Sequence, residues 1–393
     1  MLPILIISHS IAWSSKNVVD GLTHRYYGLY SNMARYILNH GRPTYWYSVR
    51  ERRLLKVFNG MCHSSKCSMF IAVAKVLKEA FTFEKPVIIM LDYPHSFLGI
   101  KHFMTYVSTL LLLRVFQLLG AVFVVVDNMD PPIEHSIELK GKISLLEKLL
   151  WSLLNKLVSF FDFMIFPSQS YRVYHKLYYK LDYKKTGVFP PGSFPDIIPF
   201  KEAPLKTPLK VFSSARIHEW IGLEKIITLI ESLEHEGIEA KFIVLDKSAP
   251  SSLRGENLEV MNTYVGYHDF LKLLTEAHVL LLIRPKSLHH ALTVRATAAD
   301  YMMAGRPILY LHSLGIKEIV GNVKGCYSFS SIEEVPDVLR RLTRDLSSLD
   351  ELCISIRAYA EKCLDYRKLA LNLLREIANR MREQKILDKW TNT

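Results

Sequence analysis

The sequence predicts an α/β protein made of two doubly wound domains, each a parallel sheet wrapped by helices. Three observations carry this. Short apolar runs of strand length alternate with longer helix-like segments, the order expected of parallel strands joined by crossover helices. A proline-dense stretch near the middle divides that alternation in two. And 393 residues are many for one hydrophobic core, so two domains of roughly 150–200 residues are the default.

Taken in order, Ile4–Ser8 is a first strand; the apolar start at Leu2–Ile7 lacks a basic leader and soon gives way to His9, Ser10 and Ser14, unlike a signal peptide. Leu22–Leu38 reads as a helix, Thr44–Val49 as a strand, Phe70–Ala80 as a helix and Val87–Leu91 as a strand. A helix over 98–119, a strand at Val122–Val126, a helix at Ile143–Phe160 and a strand at Phe163–Phe166 complete the first half. The most apolar region, Phe103–Val126, is broken by Arg114 and Gly120, short of the roughly 18 uninterrupted residues of a spanning helix.

Between Phe189 and Pro208 stand Pro190, Pro191, Pro195, Pro199, Pro204 and Pro208. Proline disfavours helix and central strand on both sides, so the stretch connects. Alternation resumes with a strand at Lys210–Ser213, a helix at Leu223–Glu236, strands at Lys241–Leu245 and Leu258–Met261, and a helix at His268–Ala277. The expected organisation is a domain at 1–192, a linker at 193–208, a domain at 209–365 and a C-terminal helical segment at 366–393 able to pack back on the first domain.

The most informative stretch is Val279–Val320. A buried strand, Val279–Ile283, is followed by a cationic loop, a helix carrying Asp300 that stops at Ala304-Gly305, and a strand at Pro307–Leu311. Such βαβ units bind ligands beyond the carboxyl ends of their strands. Arg284, Lys286 and Arg295 in that loop are residue types that hold phosphate, and Asp300 either orients those cations or accepts hydrogen bonds from ligand hydroxyls. Ser213-Ser214-Ala215-Arg216 ends another strand ahead of a helix start, a good position for a diphosphate. In the first half three strand ends carry polar groups: Ser8-His9-Ser10, Asp92-Tyr93-Pro94-His95 and Asp127-Asn128-Met129-Asp130. Acid–base or hydrogen-bonding groups for a substrate belong at such a mouth, although Asp and His also cap helices and start turns.

Composition narrows the class. Hydrophobic residues at 49% with 22% charged describe a globular chain. Of the net +12, residues 1–200 carry 23 Lys and Arg against 13 Asp and Glu, and the remainder 27 against 25. The first half therefore meets an acidic partner or carries a solvated basic face. Five irregularly spaced cysteines form neither a disulfide framework nor a zinc site, and Cys62-His63…Cys67 is a poor cluster. His289-His290 lacks metal-ligand spacing; no metal site is expected. The segment 170–185 interleaves tyrosines with cations and favours an exposed binding surface at lipid headgroups, whereas Ile143–Phe160 reads as an amphipathic helix packed on the sheet.

With these residues in view the chain resembles the GT-B glycosyltransferases, whose two Rossmann-like domains face a cleft, and within them the retaining family 4 enzymes. Arg216 matches the family's phosphate-binding Arg, Pro285 its strand-end Pro, Asp300 its later acid, and Ala304-Gly305-Arg306-Pro307 its helix end. Asp20-Gly21-Leu22-Thr23-His24 resembles the glycine loop of the first domain, and Val188-Phe189-Pro190-Pro191-Gly192 the hinge. Ile221 stands where the family has a Lys, Leu292 where it has the first Glu of its paired acids, and Met129-Asp130 where it has His-Asp.

The resemblance implies a hexosyltransferase that moves a sugar from a nucleotide diphosphate sugar to a glycan, lipid or protein acceptor, with retention. It needs no cofactor beyond the donor. Arg216 would bind the diphosphate and Asp300 the ribose. Beyond what the resemblance implies, the loop residues Arg284, Lys286, Arg295 and Thr297 are expected to complete the donor site, Lys286 or Arg295 standing in for the missing Lys. His95 and Asp130 are expected as the catalytic residues, meeting acceptor or transferred sugar, and His9 and Gly21 would line the acceptor side. A cytoplasmic protein is expected, with an anionic membrane surface as a partner of the first domain and no nucleic acid. The alternatives are a nucleotide-sugar epimerase of the same fold, or a non-catalytic protein that binds nucleotide sugar or membrane.

Overall fold

A computed structural model describes residues 2–11, 21–82, 86–94, 100–202, 204, 208–215, 222–246, 249, 256–263, 265–344, 349–384 and 386. The chain divides into two compact units, Met1–Pro190 together with Tyr366–Thr393, and Pro191–Asp365.

The first unit is built on an eight-stranded sheet. In chain order its strands are β1 (Ile4–Ser8), β2 (Thr44–Ser48), β3 (Arg53–Phe58), β4 (Met61–Lys66), β5 (Val87–Asp92), β6 (Val122–Asp127), β7 (Phe163–Phe166) and β8 (Thr186–Val188). They lie in the order β4-β3-β2-β1-β5-β6-β7-β8. Every residue of β1, β5 and β6 is buried, as strands covered by helices on both faces require. Parallel pairing aligns Ile7 with Leu91, and Asp92 with Asp127, so the carboxyl ends of β1, β5 and β6 open side by side.

The antiparallel edge formed by β3 and β4 is absent from the sequence expectations. Asn59-Gly60 joins the two strands with both residues at positive φ, the demand of a tight hairpin turn that Asn-Gly meets at least steric cost. Cys62 and His63 lie on this exposed edge, and all five cysteines are free thiols.

One helical run faces the strand ends: α1 (Gly21–Arg25), a π-helical turn at Tyr26–Tyr30, and α2 (Ser31–Asn39). The remaining helices are α3 (Met69–Thr82), α4 (Ile100–Leu118), α5 (Pro132–Lys140), α6 (Leu145–Val158) and α7 (Gln169–Tyr179). The C-terminal helix, Tyr366–Glu383, joins this unit and packs on α2. It fits because residue 28 is glycine: a Cβ there would stand 2.1 Å from the Tyr366 ring. The Tyr366 hydroxyl also meets His24 Nδ1 at 3.0 Å.

The second unit has a wholly parallel six-stranded sheet. Its strands are β9 (Leu209–Ser213), β10 (Ala240–Leu245), β11 (Leu258–Met261), β12 (Val279–Leu282), β13 (Ile308–Leu311) and β14 (Cys326–Phe329), in the order β11-β10-β9-β12-β13-β14. Alternate residues feed two cores. Val211, Leu281 and Leu309 point to one face; Phe212, Leu280, Leu282 and Ile308 point to the other.

The proline-rich stretch from Pro191 belongs to this unit. Its carbonyls, poor in backbone donors, are met by buried arginines: Arg306 donates to Lys201 O (2.8 Å) and Glu202 O (3.1 Å), Arg357 to Ile198 O (2.7 Å) and Pro195 O (3.0 Å). Among the described residues no helix is long and apolar enough to cross a membrane.

Candidate active site

In the second unit the chemistry gathers beyond β12. The strand is apolar through Leu282 and Ile283, and the chain then turns at Arg284-Pro285-Lys286 into a short helix, Leu288–Leu292. Ser287 caps it, its hydroxyl accepting from His290 N at 3.2 Å.

Arg284 is buried under this turn. Its Nη1 donates to Thr293 O at 2.9 Å and to His290 O at 3.4 Å; its Nη2 lies 2.6 Å from His290 Nδ1 and 3.2 Å from Thr293 Oγ1. A buried guanidinium needs such partners, and here they brace the loop from beneath. His290 Nδ1 serves as the acceptor, so the His289-His290 pair belongs to the brace. The loop borders a hollow of about 280 Å³ lined by Arg284, Lys286, Leu288, His312 and Ser313 among others. Lys286, exposed at its rim, is the cation of this loop turned outward.

The next helix, Ala296–Ala304, starts at Arg295, half-buried in the N-cap position, with Thr297 half-buried in its first turn. Asp300 is buried and accepts from Ser193 Oγ (2.5 Å) and Tyr267 OH (3.0 Å). Its neighbour Tyr301 reaches the other way, its hydroxyl accepting from Ser214 N at 3.0 Å. One helical turn therefore ties the end of β9 to the Pro191–Pro199 stretch. Gly305, at φ +67°, ends the helix. Ser193, Tyr267 and Tyr301 were not expected as site residues; their hydrogen bonds cross 107, 33 and 87 positions. Arg216, with Ile221 after it, lies outside the described residues.

In the first unit the carboxylates at the strand mouth are Asp92 and Asp127, from two of the strand ends expected to carry polar groups. Asp127 is fully buried and takes both Arg25 Nε (2.6 Å) and Nη2 (3.0 Å), with Tyr30 OH at 2.7 Å. Tyr26 OH bonds to Asp92 Oδ2. Tyr26 and Tyr30 stack at 5.5 Å in the π turn, so one face of that turn serves both acids. Burial holds the Asp92 carboxyl well above the ordinary carboxylate range, against the Tyr26 hydrogen bond that pulls it down. A second network runs from Tyr171 OH to Asn128 Oδ1 (2.7 Å) and from Asn128 Nδ2 to His175 Nε2 (3.1 Å).

Asp130 follows on the bend after β6, half-buried. His9 is half-buried, its amide donating to Tyr26 OH at 3.4 Å, and Gly21 is the first residue of α1. His95 lies outside the described residues.

No family model matches the chain, and no curated protein does either. Solved structures do. A sucrose-phosphate synthase from Thermosynechococcus elongatus superposes with a TM-score of 0.62 at 11% identity, over 98% of this chain and 100% of that one. A glycosyltransferase from Rickettsia africae ESF-5 does so with a TM-score of 0.62 at 11% identity, over 97% and 98%. Anabaena HepE in complex with UDP-glucose gives 0.55 at 12% identity, over 96% and 100%. The fold is GT-B. At such identities the likeness is one of fold, and it spans both Rossmann-like units of the GT-B chain, the sheet carrying Asp92 and Asp127 as well as the sheet carrying Arg284 and Asp300.

Proposed function

We propose that the chain transfers a sugar from a nucleotide diphosphate sugar to a hydroxyl of a glycan, lipid or protein, with retention at the anomeric carbon. The observation that carries the reading is the braced loop after β12. A buried Arg284 holds the turn rigid, and the turn presents Lys286 at the rim of a hollow, on a fold shared with a protein solved with UDP-glucose. As the glycosidic bond breaks, the leaving nucleotide diphosphate gains negative charge. A preorganised cation stabilises that charge more in the transition state than in the ground state. Lys286, Arg295 and Arg216 are the side chains assigned to it, with Thr297 also assigned to the donor and Asp300 to its ribose. No metal is invoked, since the sequence has no Asp-x-Asp strand-end pair to hold one.

His95 and Asp130 are assigned to contact with acceptor or transferred sugar, and His9 and Gly21 to the acceptor side; the strand mouth of that sheet holds the buried Arg25–Asp127 pair. The cation excess of the first 200 residues fits work at an anionic membrane surface from the cytoplasmic side. The test is a thermal-shift screen of nucleotides and nucleotide sugars, followed by nucleotide diphosphate release with and without acceptor. A native-state ligand raises apparent stability. An unchanged melting profile with every nucleotide sugar would rule the reading out.

A further inference from the structure

The first unit carries a face that its own fold leaves uncovered. On α4, Met104, Leu111, Val115 and Leu118 fall on one line along the helix, each 52–66% exposed. On α6, Leu145, Leu146, Leu149 and Leu153 do the same at 47–74% exposure, while Trp151, Leu154 and Val158 occupy the opposite, buried side. The two helices pack against each other, and α3 flanks α4 through the Phe81–Phe116 ring contact at 5.7 Å. The expectation for Ile143–Phe160, an ordinary helix packed on the sheet, therefore holds for only one of its sides. The segment expected to be exposed, 170–185, is in part tied down. Arg172 lies over the Tyr183 ring at 3.5 Å and donates to Thr186 O at 3.0 Å, although Leu177 and Tyr178 remain exposed.

We infer that this α4–α6 face seats the protein on an anionic lipid bilayer. The inference deepens the anionic-surface part of the reading above and rests on it. Soluble monomers rarely leave so many large apolar side chains in one patch without use. Charge selects the occupant. Helices α3, α4, α6 and α7 hold two carboxylates in their sequences, Glu79 and Glu147, and each is taken by a lysine, Lys56 at 2.5 Å and Lys140 at 3.0 Å. Lys148 and Lys156 stand exposed along the α6 stripe. Leucines with interspersed lysines and neutralised acids match the boundary of acyl chains and anionic headgroups. A second copy would bring the same cation excess to the contact, which disfavours it.

The test is flotation of the full chain with vesicles of phosphatidylcholine, alone or mixed with phosphatidylglycerol. The wild type is compared with the pairs Leu146→Glu/Leu149→Glu and Leu111→Glu/Val115→Glu. These sites are exposed, so the urea midpoint should stay at the wild-type value. The wild type should float with the mixed vesicles and lose binding as salt rises; each pair should bind at least about tenfold more weakly. The thermal response to nucleotide sugar is read on the same samples. A wild type that fails to float while it keeps that response overturns the docking face and leaves the transferase reading standing; a wild type that floats without that response does the opposite. Variants that float like the wild type, or a wild-type dimer by light scattering that the same substitutions dissociate, also overturn the proposal.

Discussion

Arg25 grips Asp127 at two points, Nε to Oδ2 at 2.6 Å and Nη2 to Oδ1 at 3.0 Å, with both side chains essentially out of water. The pair fastens α1 to the end of β6, and Arg25 Nη1 also donates to Phe189 O at 3.1 Å and Pro190 O at 3.3 Å. It thus fixes, at the strand mouth, the helix start that carries Gly21.

Removing one partner strands a buried charge. Arg25→Met should destabilise the first unit by about 3–5 kcal/mol, whereas Arg25→Met with Asp127→Leu should recover much of that loss. Urea unfolding of the single and double variants checks it. A double variant no better than the single would mean that Tyr30 and the Phe189 and Pro190 carbonyls, rather than the ion pair, set the cost.

His175 predicts a loss of stability on the acid side. Burial lowers its pKa from 6.5 to about 3, and its Nε2 accepts from Asn128, so the folded ring stays neutral. The unfolded chain takes up a proton below about pH 6.5 while the folded one does not until about pH 3. Stability contributed by the neutral ring is therefore full above pH 6.5 and falls as pH drops through that window, by up to about 1.4 kcal/mol per unit. His175→Gln keeps an acceptor for Asn128 and should flatten the slope between pH 7 and pH 5 in urea midpoints.

Asp92 predicts the opposite slope. Its carboxyl, raised first by burial and then by the charge of Asp127, keeps its proton in the folded state at pH values where the unfolded chain has lost it. Stability should fall as pH rises from the ordinary carboxylate range through the raised value. Asp92→Asn retains an oxygen for the Tyr26 hydroxyl and cannot ionise. It should be at least as stable as the wild type at pH 8, and less dependent on pH between 5 and 8.

Strands β1, β5, β6 and β12 were legible because burial on both faces leaves an unbroken apolar run. The β3–β4 edge was not, since an exposed strand such as Met61–Lys66 has no apolar pattern to show; only Asn59-Gly60 could have betrayed it. Within the candidate site, the polar residues after each strand could be read as strand-end groups. What residue type alone could not reveal was direction. Arg284 is the kind of side chain that holds phosphate, yet its donors are turned under the loop because Thr293 and His290 fold back over it. Asp92 and Asp127 were bracketed by the expected strand ends, but Tyr26, Tyr30 and Arg25 lie far off in sequence and become their partners only when the helix docks.

Lys286 and Arg284 should separate cleanly by variant. Lys286 is exposed and bordered by the hollow, so Lys286→Ala should leave the melting temperature of the ligand-free protein unchanged. If it meets the donor diphosphate, its loss removes a charge-assisted hydrogen bond of roughly 1.5 kcal/mol, which is about a tenfold weaker affinity for nucleotide sugar. Arg284→Lys should behave the other way round. A lysine cannot span Thr293 O, Thr293 Oγ1 and His290 Nδ1 together, so the ligand-free protein should melt at lower temperature even though the charge is kept. Titration calorimetry with nucleotide sugar, beside ligand-free thermal melts, reads both effects. A Lys286→Ala protein that binds donor at wild-type affinity would shift the diphosphate contact away from this loop.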